Sequence, residues 1–206
     1  MIRTTKKPSE RRLEIMQTAQ ELFRIQGYEG TSVNTIIEKM GVAKGTFYHY
    51  FKSKNDLLSA IVDDLLNRLV IFAETVSKDT SLNSLEKIEK ILSSQNNNNT
   101  RAGEMKESLH IPENRELHEK TNVQLVLRFS PIISEIVEQG IYEGIFKVKN
   151  TLETIQFLLI ASQFLFDEGL FKWNTEEWKV RRKVMQEVIE KSLGAKRGAF
   201  KFLNNR

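Results

Sequence analysis

Between residues 44 and 54 the chain sets out groups suited to holding an anion: Lys44, Thr46, Tyr48, His49, Lys52 and Lys54. Ammonium, hydroxyl, phenol and imidazole groups donate to phosphate oxygens, and lysine and threonine also reach base edges. Gly45 stands among them and, lacking a Cβ, lets its backbone come close to a ligand. Phe47, Tyr50 and Phe51 are interleaved with these donors, so ring residues run without a break from 47 to 51. A helical wheel divides the run. With Phe47 at the origin, Met40, Ala43 and Phe51 fall within about 40° of it and are assigned to the core. Gly45, Tyr48, His49 and Lys52 fall between roughly 100° and 200° and face outward, with Thr46 and Tyr50 on one rim and Lys44 on the other. One short helix thus fastens itself to a core and presents a polar, cationic face.

The elements around this helix are those needed to hold it. Helical periodicity predicts a first helix from Ser9 to Gln26 after Pro8, with Leu13, Met16, Ala19, Leu22 and Phe23 on one face and Gly27 as its stop. Thr31 or Ser32 caps a second helix, in which Val33, Ile36, Ile37 and Met40 follow the i, i+3, i+4, i+7 pattern up to Gly41. The third helix begins near Ala43. Two helices joined by a tight glycine-containing turn are the physical form of a helix-turn-helix, here over about residues 32–51. A fourth helix opens at Ser53 with Asp56 in capping-box position and carries an apolar stripe from Leu58 to Val76.

Charge points the same way. Residues 1–56 hold ten Lys and Arg against six Asp and Glu, whereas the other 150 residues hold 21 of each, so the net +4 sits in the first quarter. An excess of this kind suits an anionic partner, or equally a basic N-terminal tail that only aids solubility. Other chemistry is missing. There is no cysteine, which removes disulfides and sulfur-ligated metals, and no catalytic motif or phosphate-cradling glycine loop. His110 and His118 stand eight apart near Glu113 and Glu116, a spacing that does not suit a helical metal pair. No metal, cofactor or enzymatic role is expected. The N-terminus lacks an apolar signal region and the most apolar stretch, 157–166, is too short to span a bilayer, so a cytoplasmic protein without membrane attachment is expected.

The stretch TSVNTIIEKMGVAKGTFYHYFKSKNDLL (31–58), with Ala19, Leu22, Phe23, Gly27 and Tyr28 before it, resembles the N-terminal signature of the tetracycline-repressor (TetR) family of transcriptional regulators. The resemblance is specific over about residues 9–66. It implies an all-helical homodimer on a palindromic double-stranded DNA operator, usually a repressor, released when a small molecule binds the C-terminal domain. By position it assigns Thr31 to a phosphate contact at helix 2, Lys44, Gly45 and Thr46 to the base-facing start of helix 3, Tyr48 to phosphate, and Lys54 to the opening of helix 4. The chain departs from the pattern in carrying Tyr50 where members often carry histidine, and its own His49 one place earlier.

An all-α protein is therefore expected, with a DNA-binding domain over 1–56 and a helical domain for ligand and dimer over 57–206. In the second domain, helices are read over 81–94, 101–109, from Asn114 to Gly140 or Gly144 with Pro131 inside, from Asn150 to about Gly169, and from Asn174 to Ser192. Residues 152–166 are apolar on nearly every side, which fits either a subunit interface or the centre of a monomeric bundle. Phe72, Met105, Leu125, Phe129, Phe157 and Phe164 are candidates to line a ligand pocket. The basic tail from Gly194 is expected to fray. The alternatives are a regulator that needs no ligand, and a helical carrier or enzyme with an incidental helix-turn-helix.

Overall fold

The computed structural model describes residues 7–94, 114–167 and 169–204. Met105, His110, the polar run 95–100 and the helix expected over 101–109 lie outside the described residues. Within them the chain forms eight α-helices and no strand: α1 Pro8–Gln26, α2 Val33–Met40, α3 Lys44–Tyr50, α4 Lys54–Ser77, α5 Ser84–Ser94, α6 Arg115–Tyr142, α7 Thr151–Leu165 and α8 Thr175–Ser192, then a 3-10 turn Lys201–Asn204. Contacts divide the described residues into two units, 7–65 with 114–117 and 66–94 with 118–204. The division falls inside α4, not at residue 56, because Leu57, Leu58, Ile61 and Val62 all pack in the first core.

The first unit is built by its helix ends. Pro8 starts α1, and Gly27 ends it with φ of 76°, a conformation that favours glycine. The buried face of α1 is Ile15, Met16, Ala19, Leu22 and Phe23. Leu13 was expected on that face and is instead 42% exposed, since it lies about 120° round the helix from the centre of the buried set. Ser32 is the cap of α2, its Oγ accepting the Thr35 N–H at 3.0 Å, and Gly41 closes α2 in the left-handed region at φ 62°. At α4 the Ser53 Oγ accepts from the Asp56 N–H at 3.0 Å, while the Asp56 carboxylate reaches the Lys52 N–H at 2.8 Å, one residue before the cap. Leu117, from the start of α6, joins the same core.

The second unit gathers the end of α4, α5, most of α6, α7 and α8 around Phe129, Ile132, Ile136, Val137 and Phe146. α5 starts three residues later than periodicity predicts, because Ser81 belongs to a turn held by Asp79 and the reciprocal cap is Asn83 with Glu86. α6 runs as one span through Pro131. α7 stops at Leu165, and Asn174 and Glu177 cap α8 reciprocally. The expectation of a frayed tail is overturned. Phe200 is buried against Phe146, with ring centroids 6.0 Å apart, and Glu190 Oε1 accepts the backbone N–H groups of Gly198 at 3.0 Å and Phe200 at 3.1 Å. Tail rings that look surplus in the sequence complete a core.

Candidate nucleic-acid interface

α3 has one fixed side and one open side. Phe47 and Phe51 are buried, with ring centroids 6.0 Å apart, and Arg12 lies 5.0 Å from the Phe51 ring centroid. Tyr50, also put forward as a DNA contact, is half-buried and packs against the same core. Ala43 does not join the core as the wheel proposes: it is the exposed N-cap of α3, outside helical geometry, so the wheel does not apply to it. Lys44, Gly45, Tyr48, His49 and Lys52 are all exposed, and Thr46 is half-buried at their edge. Tyr48 stands 47% exposed with its ring edge-on to Phe47, and the Lys44 ammonium lies 5.8 Å from the centre of the Tyr48 ring. Lys44, Tyr48 and His49 are thus exposed on α3, and Lys52 is exposed just past its C-cap.

Gly45 has no explanation inside the protein. A Cβ built at this position meets no atom within 4 Å, and the backbone does not have positive φ. Glycine in a helix is unfavourable relative to alanine by about 0.5–1 kcal/mol. Packing within the described residues therefore does not require a glycine here.

Two assignments change. Thr31 is wholly buried: its hydroxyl donates to the Gly27 carbonyl at 2.8 Å and accepts from the Gln26 amide at 3.2 Å. These two bonds tie it into the α1–α2 loop. The hydroxyls at the start of α2 are those of Ser32, one of the two expected caps, and Thr35, 2.8 Å apart. Lys54 is also turned inward. Its Nζ donates to the Tyr28 carbonyl at 2.9 Å and the Thr31 carbonyl at 3.0 Å, and lies 4.1 Å from the Tyr28 ring centroid. Burial pushes its pKa below the ordinary lysine value, against the opposing pull of Glu29. Two of its three N–H groups are spent on the loop that leads into α2.

The residues put forward for a ligand pocket separate. Phe129 is in the second core, and Phe72 and Leu125 pack half-buried against it. Phe157 and Phe164 are 76% and 60% exposed and belong to neither core among the described residues; with Ile160 they form an outward stripe on α7. His118 lies 3.5 Å from the buried Asp167 carboxylate and 3.2 Å from the Asn122 amide, and no metal-ligand cluster occurs among the described residues.

Residues 15–61 match a family described as bacterial regulatory proteins, tetR family, and residues 94–188 one described as tetracyclin repressor-like, C-terminal domain. The HTH-type transcriptional repressor KstR2 of Mycolicibacterium smegmatis is 33% identical over 85 residues, 41% of each chain. YvdT of Bacillus subtilis, an HTH-type transcriptional regulator, is 45% identical over 53 residues, 26% of this chain and 27% of that one. The chain therefore spans less than half the length of these relatives. The fatty acid metabolism regulator protein of Bacillus subtilis is 26% identical over 81% of this chain and 85% of its own. Among solved structures, a TetR/AcrR-family regulator from Thermobifida fusca superposes with a TM-score of 0.59 at 23% identity, covering 87% of this chain and 97% of that one. A transcriptional regulator from Cytophaga hutchinsonii gives 0.63 at 18% identity, covering 93% and 95%. These likenesses show a shared fold.

Proposed function

The chain belongs to the tetR family of bacterial regulatory proteins, and on that premise we propose that it is a homodimeric repressor of a palindromic operator, released by a small molecule. The observation that carries the DNA half is the open side of α3, where Lys44, Tyr48 and His49 are exposed with Gly45, and Lys52 is exposed just past the C-cap. Its width suits a major groove, which admits one helix. Lys44 and Thr46 reach base edges at the helix start, and Tyr48, His49 and Lys52 reach phosphates.

The dimer is supported by apolar ridges that stand largely exposed among the described residues, Phe164 resting edge-on to the Phe171 ring at 5.5 Å. Phe157, Ile160 and Phe164 stand exposed on α7, and Val180, Val184 and Val188 on α8. Their i, i+3, i+7 and i, i+4, i+8 spacings make each a continuous helical stripe. A central helix of a monomeric bundle would not leave its phenylalanines in water. For release, a ligand in the second unit favours one spacing of the two reading heads and DNA the other; α4, continuous from the first unit into the second, carries the preference.

Selection of duplexes from a random pool by the full chain, at stated salt, tests the reading. The expected product is an inverted repeat whose half-site centres are a whole number of helical turns apart. Recovery of no enriched sequence would sink it. A thermal-shift screen for effectors tests the ligand half, because a molecule that binds only the folded state raises its apparent stability.

A further inference from the structure

α5 carries two lysines three residues apart with opposite surroundings. Lys90 stands at the surface, its side chain 49% exposed and 3.5 Å from Asp79, whereas Lys87 is 3% exposed. A lysine is almost never buried to that degree without partners. Lys87 finds them on two other helices: its Nζ donates to the Ser77 carbonyl at 2.7 Å and to Gln139 Oε1 at 2.7 Å. Ser77 is the last residue of α4, so its carbonyl is one of those that no further helical turn takes up. One ammonium on α5 thus joins the end of α4 to α6.

α6 holds the same junction from the other side. Gln139 Nε2 donates to the Leu82 carbonyl at 3.2 Å and to Glu143 Oε1, and Glu143 Oε2 accepts the Ser84 N–H at 3.0 Å. Burial pushes the Glu143 pKa up, but the hydrogen bonds from Ser84 and Gln139 and the charge of Lys87 outweigh it and leave it below the ordinary glutamate value. An anion therefore faces the buried ammonium. Gly140 lets the elements meet this closely, since a Cβ there would lie 2.7 Å from Ser84 Oγ and 2.1 Å from the Phe146 ring.

Val70, Ala73 and Val76 also hold α4 in the second core, but apolar contacts are non-directional and packed helices slide over one another. A hydrogen bond to the last carbonyl fixes the helix along its axis. We propose that Lys87, oriented by Gln139 and Glu143, is the positioning residue of α4: it ties the C-terminal end of that helix to α6, so that a shift of α6 passes to Ser77 and along α4 to the reading head. The last step rests on the repressor reading, in which α4 carries the preference between ligand and DNA. The lever is long, for a swing of about 5° about Ser77 displaces the start of this 24-residue helix, about 36 Å away, by about 3 Å.

The chain has no cysteine, so spin labels on Lys52→Cys and Glu89→Cys, both at exposed positions, mark the end of α3 and the surface of α5 without further change. Mixed with an excess of unlabelled chain, the pair reports a distance within one subunit, with neither DNA nor effector present. The labelled parent is expected to give one narrow distribution. Lys87→Met should widen it by about 3 Å or more, the displacement of the lever, at a temperature where circular dichroism shows full helix content. Glu143→Ala, at an exposed position, should widen it less, and decides the matter should Lys87→Met fail to fold. Lys90→Met, on the surface of the same helix, should leave the width unchanged. So should Ile91→Val, which thins the core under α5 without touching the polar contacts. Unchanged widths in both network variants, or equal widening by Ile91→Val, overturn the proposal. On the selected operator, Lys87→Met should lose preference for the full site over the half-site; widening with that preference retained overturns the step from α4 to the reading heads. Failure to select any operator counts against the repressor reading alone and leaves the distances standing.

Discussion

Gly45 and Lys54 show how a side chain's surroundings decide between fold and function. An alanine at 45 meets nothing in the protein, so Gly45→Ala should stabilise the chain by about 0.4–1 kcal/mol, through a less flexible unfolded state. The same methyl should obstruct a groove and weaken operator binding. Urea unfolding and operator titration on one preparation check the pair of signs; a fall in both would place the glycine's role in the fold. Lys54 has the opposite character. Its ammonium is spent on the Tyr28 and Thr31 carbonyls, so it positions the helix-turn-helix and is a poor phosphate contact. Lys52→Ala should lower both operator affinity and the salt slope, by about one unit for one lost phosphate contact. Lys54→Met should lower affinity and unfolding free energy, the latter by about 1–3 kcal/mol for two orphaned carbonyls, with the slope unchanged. If the slope falls equally in both, Lys54 touches phosphate after all.

Helix ends carry much of the local specification, and the C-terminal element depends on one carboxylate. Burial pushes the Glu190 pKa up, but the hydrogen bonds from Gln186, Phe200 and Gly198 and the charge of Arg197 outweigh it, leaving it below its ordinary 4.5. A carboxyl with a depressed folded pKa contributes stability that is complete above the unfolded value and is lost as pH falls through the folded one. Wild type should therefore exceed Glu190→Gln in urea midpoint at neutral pH, and the gap should close as pH drops below about 4.5. A gap constant with pH would show that the clamp works without its charge. What the sequence made legible follows the same division between local and distant causes. Gly27, Gly41, Ser53 with Asp56, and Asn174 with Glu177 act within a few residues, and each marks the helix end expected of it. Thr31 and the tail depend on partners set by packing, whereas Leu13 is off the buried face by helix angle alone. Thr31 sits in a loop closed over its hydroxyl, and Phe200 finds Phe146, 54 positions away along the chain. Ala43 failed for a smaller reason, since a cap residue leaves the helical wheel.

At the scale of the molecule, pooling the charge of residues 57–206 hid a dipolar distribution, acidic over 57–168 and basic over 169–206, and a helix that reads as apolar all round is covered by this chain on one side only. The exposed ridges of α7 and α8 have a direct consequence for DNA. A palindrome is read by two copies whose spacing is fixed by their shared interface, so affinity for the full site requires the dimer. Phe164→Glu and Val184→Glu each place a charge on a ridge that makes no core contact within the chain, so neither should unfold the subunit. Each should convert the dimer to monomer, since a buried unpaired carboxylate at an interface costs several kcal/mol. Sedimentation at graded protein concentration reads the oligomer, and titration of full and half operators reads the coupling. The expected result is loss of preference for the full site with little change at the half-site. Retention of the dimer by both variants would move the interface off these two helices, and monomers that keep the full-site preference would separate dimerisation from reading.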